Sequence, residues 1–415
     1  MITRIEALRY RCLRHVAENV GRCEVLVGPN GVGKSTLLDV VLFVRDMLRV
    51  GPAVAVAGDP RIDVARRATD AADLCWMREG ERFELALELE IPRDAISSRE
   101  ASFSRARYEV AIDRGGRDRE PGLVGEALWL APPFHPSELE PEPGDQLDFF
   151  SELEPWTPPA TILRGASSRA LAGWRKVIGK TGPSGNDSYR SETSDWSYHF
   201  RIGPSRAALA ILPEDETRFP IAAWVKRALM DRIHSVVLDL PAMRRPSPPS
   251  APRTFVPDGS NLPWVVDVLG RCHPQRMQRW TDRVRRAMPA VASIESVERE
   301  EDRSRHLVLV QSSGLRVPSW CMSDGTLRLL AFTLLPELPD LEGVLAIENP
   351  DTGLDATSTR VVYEALRDVE HAQVLCATCS GALARMAPQD GVLWFGLDGL
   401  GATITTRNPA PEPVA

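Results

Sequence analysis

The stretch Gly28-Pro29-Asn30-Gly31-Val32-Gly33-Lys34-Ser35-Thr36 constrains this chain most, because it fills the pattern G-x-x-x-x-G-K-[ST] without a departure. Before it runs Cys23-Glu24-Val25-Leu26-Val27, short, apolar and β-branched, as a buried parallel strand should be. After it, Leu37, Val41, Val44 and Leu48 recur at helical spacing, so the loop stands at a strand-to-helix turn. In that context the glycines let successive backbone N–H groups curl around phosphates, and the helix behind adds the positive end of its dipole. Lys34 brings a point charge to the β- and γ-phosphates of ATP and Ser35 a hydroxyl for Mg²⁺; Asn30, Gly31, Gly33 and Thr36 complete the expected binding set.

The rest of the composition mainly excludes. Net charge is −7, so nothing draws the whole chain to DNA or to an anionic membrane, and any nucleic-acid contact must come from a local patch. No apolar run is long enough to span a bilayer and no charged-then-apolar leader opens the chain, so the expected location is the cytoplasm, with no membrane partner. The seven cysteines are scattered, which argues against a disulfide framework, and Cys376 and Cys379 lack a second Cys/His pair for zinc. Arginine far outnumbers lysine, and Lys34 is one of only four lysines.

Residues 2–13 alternate apolar and polar and residues 19–28 supply the next strand, so the chain enters a sheet at once. From Gly51 to Ile62 the periodicity fades, and strand-like runs at Arg82–Ile91, Ser104–Asp113 and Gly122–Leu130 suggest an antiparallel lobe. The acidic, Pro-rich stretch 135–158 and the Gly/Ser/Asn-rich stretch 181–197 read as exposed loops or lids. Order returns with a helix over Ile221–Ser235, a strand over Val236–Leu240 and a Pro-rich linker from Pro241 to Pro257. Helices over Leu262–Arg271 and Arg276–Met288, strands over Val291–Arg299 and His306–Gln311, and an apolar helix over Thr326–Leu335 follow. No internal repeat and no heptad run long enough for a coiled-coil arm is present.

Gly343-Val344-Leu345-Ala346-Ile347 reads as a buried strand whose acidic tip, Glu348-Asn349-Pro350-Asp351, is Walker B-like. A carboxylate at the carboxyl end of a strand beside the P-loop strand reaches the Mg²⁺ held by Ser35. A helix carrying Val361, Val362, Ala365, Leu366 and Val369 and a strand over Gln373–Ala377 continue the α/β order. Ser323-Asp324-Gly325 stands just ahead of a helix, so a hydroxyl and unpaired N–H groups face outward, ready for an anion.

The ordered set GPNGVGKST, MSDGT (322–326), LAIENPDTGLD (345–355) and QVLCATCS (373–380) resembles the ABC-type ATPases of the RecF/SMC branch, including stand-alone OLD-like and anti-phage ATPases. The resemblance covers roughly residues 1–50 and 305–400, and less specifically Asp258–Leu262. It implies an α/β P-loop NTPase core of the ABC/SMC head type, built from residues 1–50 and 305–405, with an inserted α+β arm lobe over 51–304 and a disordered tail at 406–415. It further implies a homodimer through shared ATP, with Ser323 and Gly325 capping the γ-phosphate bound by the other subunit and Asp355 crossing that interface. Where this branch places an Mg²⁺-binding Asp followed by a catalytic Glu, this chain has Glu348 followed by Asn349, and Cys379 stands in place of the switch histidine. Asn cannot take a proton from water, so hydrolysis is expected to be slow unless Glu348 or Asp351 serves as base.

The expected function is an ATP-dependent switch acting on DNA or on an effector protein, in prokaryotic genome maintenance or anti-phage defence. The alternative is the ATPase of an OLD-type nuclease system, with the nuclease on a separate chain, because only a short segment follows Trp394-Phe395. A transporter ATPase is disfavoured by the long insertion between Ser35 and Ser323. For DNA, the candidate is the helical stripe Arg276, Arg279, Arg283 and Arg286 with Trp280 beside it, although Asp282 interrupts the charge and a solvated basic face is the commoner explanation of such a stripe.

Overall fold

The chain enters a sheet at its second residue: β1 (Ile2–Tyr10) turns back into β2 (Leu13–Asn19) with Tyr10 opposite Leu13. The turn is Arg11-Cys12, with Arg11 in the left-handed region at φ 51°. No glycine, proline or asparagine marks it, which is why the alternation over residues 2–13 reads as one strand. The computed structural model describes residues 1–62, 64–93, 103–116, 119–133, 157–164, 173–181, 187–399 and 401–407. They form two compact units, one of Met1–Val20, Asp39–Asp231 and Leu397–Ile404, the other of Gly21–Leu38, Arg232–Gly396 and Thr405–Ala415.

In the first unit, β1 pairs with β2 and with β4 (Arg82–Glu90), and the sheet continues antiparallel through β5 (Arg105–Asp113), β6 (Gly122–Ala131), β7 (Arg175–Thr181), β8 (Asp187–Arg190) and β9 (Ser197–Phe200). The three strands expected at 82–130 thus form, antiparallel, within a residue of their expected bounds at nearly every end. Alternation along β4 puts Phe83, Leu85, Leu87 and Leu89 on one face and Glu84 and Glu88 on the other. The apolar face meets Phe43, whose ring lies 5.5 Å from Phe83 and 5.9 Å from Tyr10. The other face is polar yet equally buried. Arg107, 2% exposed, pairs there with Glu6 at 2.7 Å, Glu88 at 3.0 Å and Glu109 at 2.9 Å. Backbone of residues 161–164 lies over it, with the Ile162 N–H donating to Glu84 and the Arg164 N–H to Glu109, both at 2.8 Å. Burial would raise the Glu6 carboxyl, but the hydrogen bond and charge of Arg107, with Arg4, bring it down to about 2.

The second unit is built on a six-stranded sheet ordered β10-β14-β15-β3-β16-β17, where β3 is Cys23–Val27, β10 Ile233–Val236, β14 Gly343–Glu348, β15 Ala372–Thr378, β16 Val392–Leu397 and β17 Thr403–Thr406. β10, β14, β15, β3 and β16 run parallel, as continuous apolar runs predict. Helices α5 (Leu262–Cys272), α6 (Pro274–Ala287), α7 (Asp324–Leu334) and α8 (Ala356–Arg367) and a three-stranded sheet, β11 (Val291–Glu298), β12 (Arg305–Gln311) and β13 (Arg316–Pro318), complete it. Leu262, Val266, Trp280 and Ile294 share one buried cluster with Val25, Leu330, Ile347 and Val374.

That cluster corrects the expected boundaries. Residues 232–304 belong with the nucleotide unit because their helices fill its core, whereas residues 1–20 belong with the antiparallel sheet. The strand expected over Val236–Leu240 forms at Ile233–Val236, and Leu240 opens α4 (Leu240–Arg244) inside the expected linker. That linker is tied down: Asn261, 1% exposed, donates to the carbonyls of Pro252 at 2.8 Å and Thr254 at 2.7 Å and accepts from Val256 N–H at 3.0 Å. The stretch 181–197 contains β8, whose Asp187 is buried, so it is not loop throughout. Most of 135–158 and of the tail lies outside the described residues.

Candidate nucleotide site

β3 ends at Val27, and the loop from Gly28 delivers the chain into α1 (Lys34–Val50). Gly28 is required by the neighbouring strand: a Cβ there would stand 2.4 Å from the carbonyl oxygen of Phe395 on β16. Gly31 and Gly33 take φ of 81° and 103°, conformations that turn consecutive N–H groups to one side and that an L side chain resists. A Cβ at Gly31 would meet nothing within 4 Å, so the loop is open on that side. Lys34 is 7% exposed, and its ammonium donates to the carbonyls of Gly28 at 2.7 Å and Pro29 at 2.6 Å. Ser35 is exposed on the first turn of α1 and Thr36 is buried behind it. A loop of this shape at a helix N-terminus, lined by N–H groups and one ammonium, fits a polyphosphate.

The Walker B-like strand is not beside β3. β15 lies between them, paired in register: Glu348 stands opposite Ala377 and Ala377 opposite Leu26. The three carboxyl ends are therefore level, and Glu348 and the start of the loop share one edge of the sheet about 10 Å apart, two strand spacings. Glu348 and Asn349 are exposed at that edge. Asn349 has φ 47° and its N–H donates to Ala377 O at 2.7 Å. Asparagine tolerates this left-handed turn better than glutamate, a conformational reason for Asn that the sequence alone does not disclose.

Asp351 is already engaged: the Thr378 hydroxyl, at the tip of β15, donates to its two carboxylate oxygens at 2.9 and 3.1 Å. Cys379, the next residue, is exposed, donates to Asn30 Oδ1 at 2.7 Å and lies 3.4 Å from the Lys34 ammonium. It thus sits against the loop, where the resemblance puts a histidine. Cys376, its partner in the Cys-x-x-Cys spacing, is fully buried in β15, and burial pushes its thiol well above the usual range. Among the described residues no group of three or more His, Cys, Asp or Glu is arranged to hold a metal.

Ser323 caps α7, its Oγ accepting from Thr326 N–H at 3.1 Å, and Asp355 caps α8 in the same way, accepting from Ser358 N–H at 2.7 Å. That backbone hydrogen bond also lowers the Asp355 carboxyl. The two capped ends adjoin: a Cβ on Gly325 would come 2.5 Å from the carbonyl oxygen of Gly353. Arg244 of α4 was not anticipated. It donates to Met322 O at 3.0 Å and pairs with Asp324, clamping the turn that presents Ser323. Its only sequence signal was a basic residue in a Pro-rich stretch.

The arginine stripe on α6 is spent within the unit. Arg279 and Arg283 pair with Glu337 at 2.9 and 2.8 Å, Arg276 donates to Glu337 O at 3.2 Å, and Arg286 pairs with Glu364 at 2.7 Å. Trp280 is buried, its indole donating to Thr333 Oγ1 at 3.1 Å. A structural helix face accounts for the pattern, as the solvated-face alternative expects, with Arg279 and Arg286 still half exposed.

A family model described as "AAA domain, putative AbiEii toxin, Type IV TA system" matches residues 25–383. Among solved structures, the Smc head bound to the C-winged-helix domain of ScpA is similar over 98% of this chain and 96% of that one, at 14% identity and a TM-score of 0.51. An Smc head with an extended coiled coil, bound to the C-terminal domain of ScpA derived from Pyrococcus furiosus, is 12% identical over 98% of this chain and 95% of that one, with a TM-score of 0.45. The SMC head domain from Thermotoga maritima is 10% identical over 99% of each chain, with a TM-score of 0.42. No curated protein sequence matches. Among the described residues no helix is long and apolar enough to cross a membrane. With a formed P-loop on a parallel sheet, a fold like that of the Smc head and a family match over most of its length, the chain belongs to this AAA-domain family.

Proposed function

We propose that the protein is an ATP-dependent switch with slow hydrolysis. The observation that carries this reading is the register that levels Glu348, Thr378 and the Gly28–Thr36 loop at one sheet edge, with Lys34 folded into the loop. Lys34 and the loop N–H groups would hold the β- and γ-phosphates of ATP, and Ser35 and Glu348 would hold Mg²⁺. Bound Mg²⁺ supplies neutralisation of charge on the phosphates. With Asp351 held by Thr378 and Asn349 unable to accept a proton, Glu348 is the one free carboxylate of the tip positioned to act as base. Cys379, against Asn30 and Lys34, takes the place of a residue that senses the γ-phosphate.

Two subunits would share two ATPs, Ser323 and Gly325 of one meeting the γ-phosphate held by the other, with Asp355 at the junction. The support is local: Ser323 is exposed at a helix N-terminus, and the contact of Gly325 with Gly353 keeps both motifs on one surface. An effector-protein partner is favoured by two likenesses, the family description naming a type IV TA system and the Smc head seen bound to a domain of ScpA. The family description favours a defence or toxin role over chromosome maintenance or a nuclease ATPase. Calorimetry tests the nucleotide half. Wild type should bind ATP with Mg²⁺, and Lys34→Ala, with an unchanged circular dichroism spectrum, should not; equal affinity in a folded Lys34→Ala variant would refute the site.

A further inference from the structure

The turn that carries Ser323 and Gly325 also carries a negative charge that the two-subunit reading leaves unexplained. Asp324 is the first residue of α7, and its side chain is 62% exposed between the two residues expected to meet a γ-phosphate. For the helix alone an acid there is favourable, because a carboxylate in the first turn suits the dipole and the N–H groups left without partners. For an incoming phosphate the same carboxylate is a like charge beside the place it must occupy, and it opposes binding where Ser323 is expected to support it. Something must offset it.

Arg244 does so from another segment. It ends α4, which follows β10, and β10 is paired in register with β14, Val236 opposite Ile347, so α4 leaves the sheet edge that carries Glu348. Its backbone is held on two sides: Met243 is buried against Gly259, where a Cβ would come 2.9 Å from the Met243 Sδ, and the Ser319 hydroxyl donates to Arg244 O at 3.2 Å. From that fixed backbone the guanidinium donates twice to Met322 O, from Nε at 3.3 Å and Nη2 at 3.0 Å, and Nη2 also pairs with Asp324. The nearer cation is not used. Arg328, one turn on in α7, makes no ion pair among the described residues, and its Nε is buried without a hydrogen-bond partner. Asp355, the acid of the adjoining cap, is turned onto its own helix, accepting from Ser358 N–H. An ion pair as exposed as Arg244 and Asp324 adds little to folding, so stability does not account for it.

We propose that Arg244 is a positioning residue of the shared nucleotide site: it neutralises Asp324 and fixes the Met322 carbonyl, so that the Ser323 turn meets the γ-phosphate held by a second copy of this chain with no bare like charge facing it. The inference rests on the two-subunit reading, and it names the residue that makes that junction receptive to an anion.

The experiment measures the dimer dissociation constant of the full chain by analytical ultracentrifugation at saturating ATP with Mg²⁺, in wild type, Arg244→Gln, Asp324→Asn and the double variant, each checked for fold by circular dichroism. Glutamine removes the charge and keeps a donor for Met322 O. Arg244→Gln should weaken the dimer by about tenfold or more, as uncompensated like charges at an interface do. The deficit should narrow as salt rises, because charge repulsion is screened and a lost packing contact is not. Adding Asp324→Asn to Arg244→Gln should restore dimerisation to near the wild-type level, a rescue that neither a purely structural clamp nor a direct arginine–phosphate contact would give. Asp324→Asn alone should dimerise at least as tightly as wild type. The inference is overturned if folded Arg244→Gln dimerises as well as wild type, if the double variant stays as weak as Arg244→Gln, or if Asp324→Asn alone weakens the dimer. A wild type that does not dimerise with ATP refutes the two-subunit reading and this inference with it, whereas a wild-type dimer that Arg244→Gln leaves intact refutes the inference alone.

Discussion

The ammonium of Lys34 lies 3.4 Å from the thiol of Cys379, although 345 positions separate them in the chain. The contact exists because β15 and β3 are neighbouring parallel strands, so the residue after β15 meets the loop after β3. Phosphates held by Lys34 would therefore stand against the Cys379 thiol. Alkylation by iodoacetamide, mapped by mass spectrometry, should be slowed several-fold at Cys379 by saturating ATP with Mg²⁺, and not at Cys272, which is exposed on α5. Equal protection of both cysteines would indicate a general tightening and not a ligand over the loop.

The left-handed φ of 47° at Asn349 shapes how the hydrolysis question should be asked. A glutamate placed there costs about 1–2 kcal/mol of backbone strain that an aspartate partly avoids, so Asn349→Asp is the cleaner way to add a carboxylate. If Asn349 is a brake, Asn349→Asp should raise turnover, a positioned base being worth about 10²–10⁴-fold. If Glu348 is both metal ligand and base, Asn349→Asp should change little, while Glu348→Gln stops turnover and leaves ATP bound. Fast wild-type hydrolysis that survives Glu348→Gln contradicts both and removes β14 from the mechanism.

Arg107 is buried among Glu6, Glu88 and Glu109, so Arg107→Met should destabilise the first unit by about 3–5 kcal/mol by leaving carboxylates without their cation. The Glu6 carboxyl sits at about 2 in the folded chain against an ordinary 4.5, so it binds a proton more readily when unfolded. Its contribution is complete above about pH 5 and is lost as pH falls from there towards 2. Denaturant midpoints measured across that range should fall in wild type and be flatter in Glu6→Gln. A midpoint independent of pH in wild type would show that the pair does not contribute in this way.

Legibility followed locality. The phosphate loop, the acidic tip after Ile347 and the Ser323 turn ahead of its helix are each a few consecutive residues whose chemistry is written in order, and the structure places each at the end of the expected strand or helix. The strand between β3 and β14 was not legible as such, because strand order depends on how βαβ units are wound and not on any one segment. Polar burial hid as well: no local pattern shows that Arg107 and its glutamates are covered by residues 161–164, which lie far along the chain. The ion pairs of the α6 stripe were hidden too, since Glu337 and Glu364, which meet its arginines, lie on other segments. β7 to β9 carried too many Arg, Lys and Ser residues to read as strands.

The central claim is that ATP joins two subunits through the Ser323 and Gly325 turn, and molar mass by light scattering tests it most directly. Wild type with ATP and Mg²⁺ should rise towards twice the monomer mass, most completely in Glu348→Gln, where bound ATP persists. Ser323→Arg, which puts bulk where the γ-phosphate must lie, should bind ATP and remain monomeric. A wild type that stays monomeric at saturating ATP, or a Ser323→Arg variant that dimerises as well as wild type, would contradict the account.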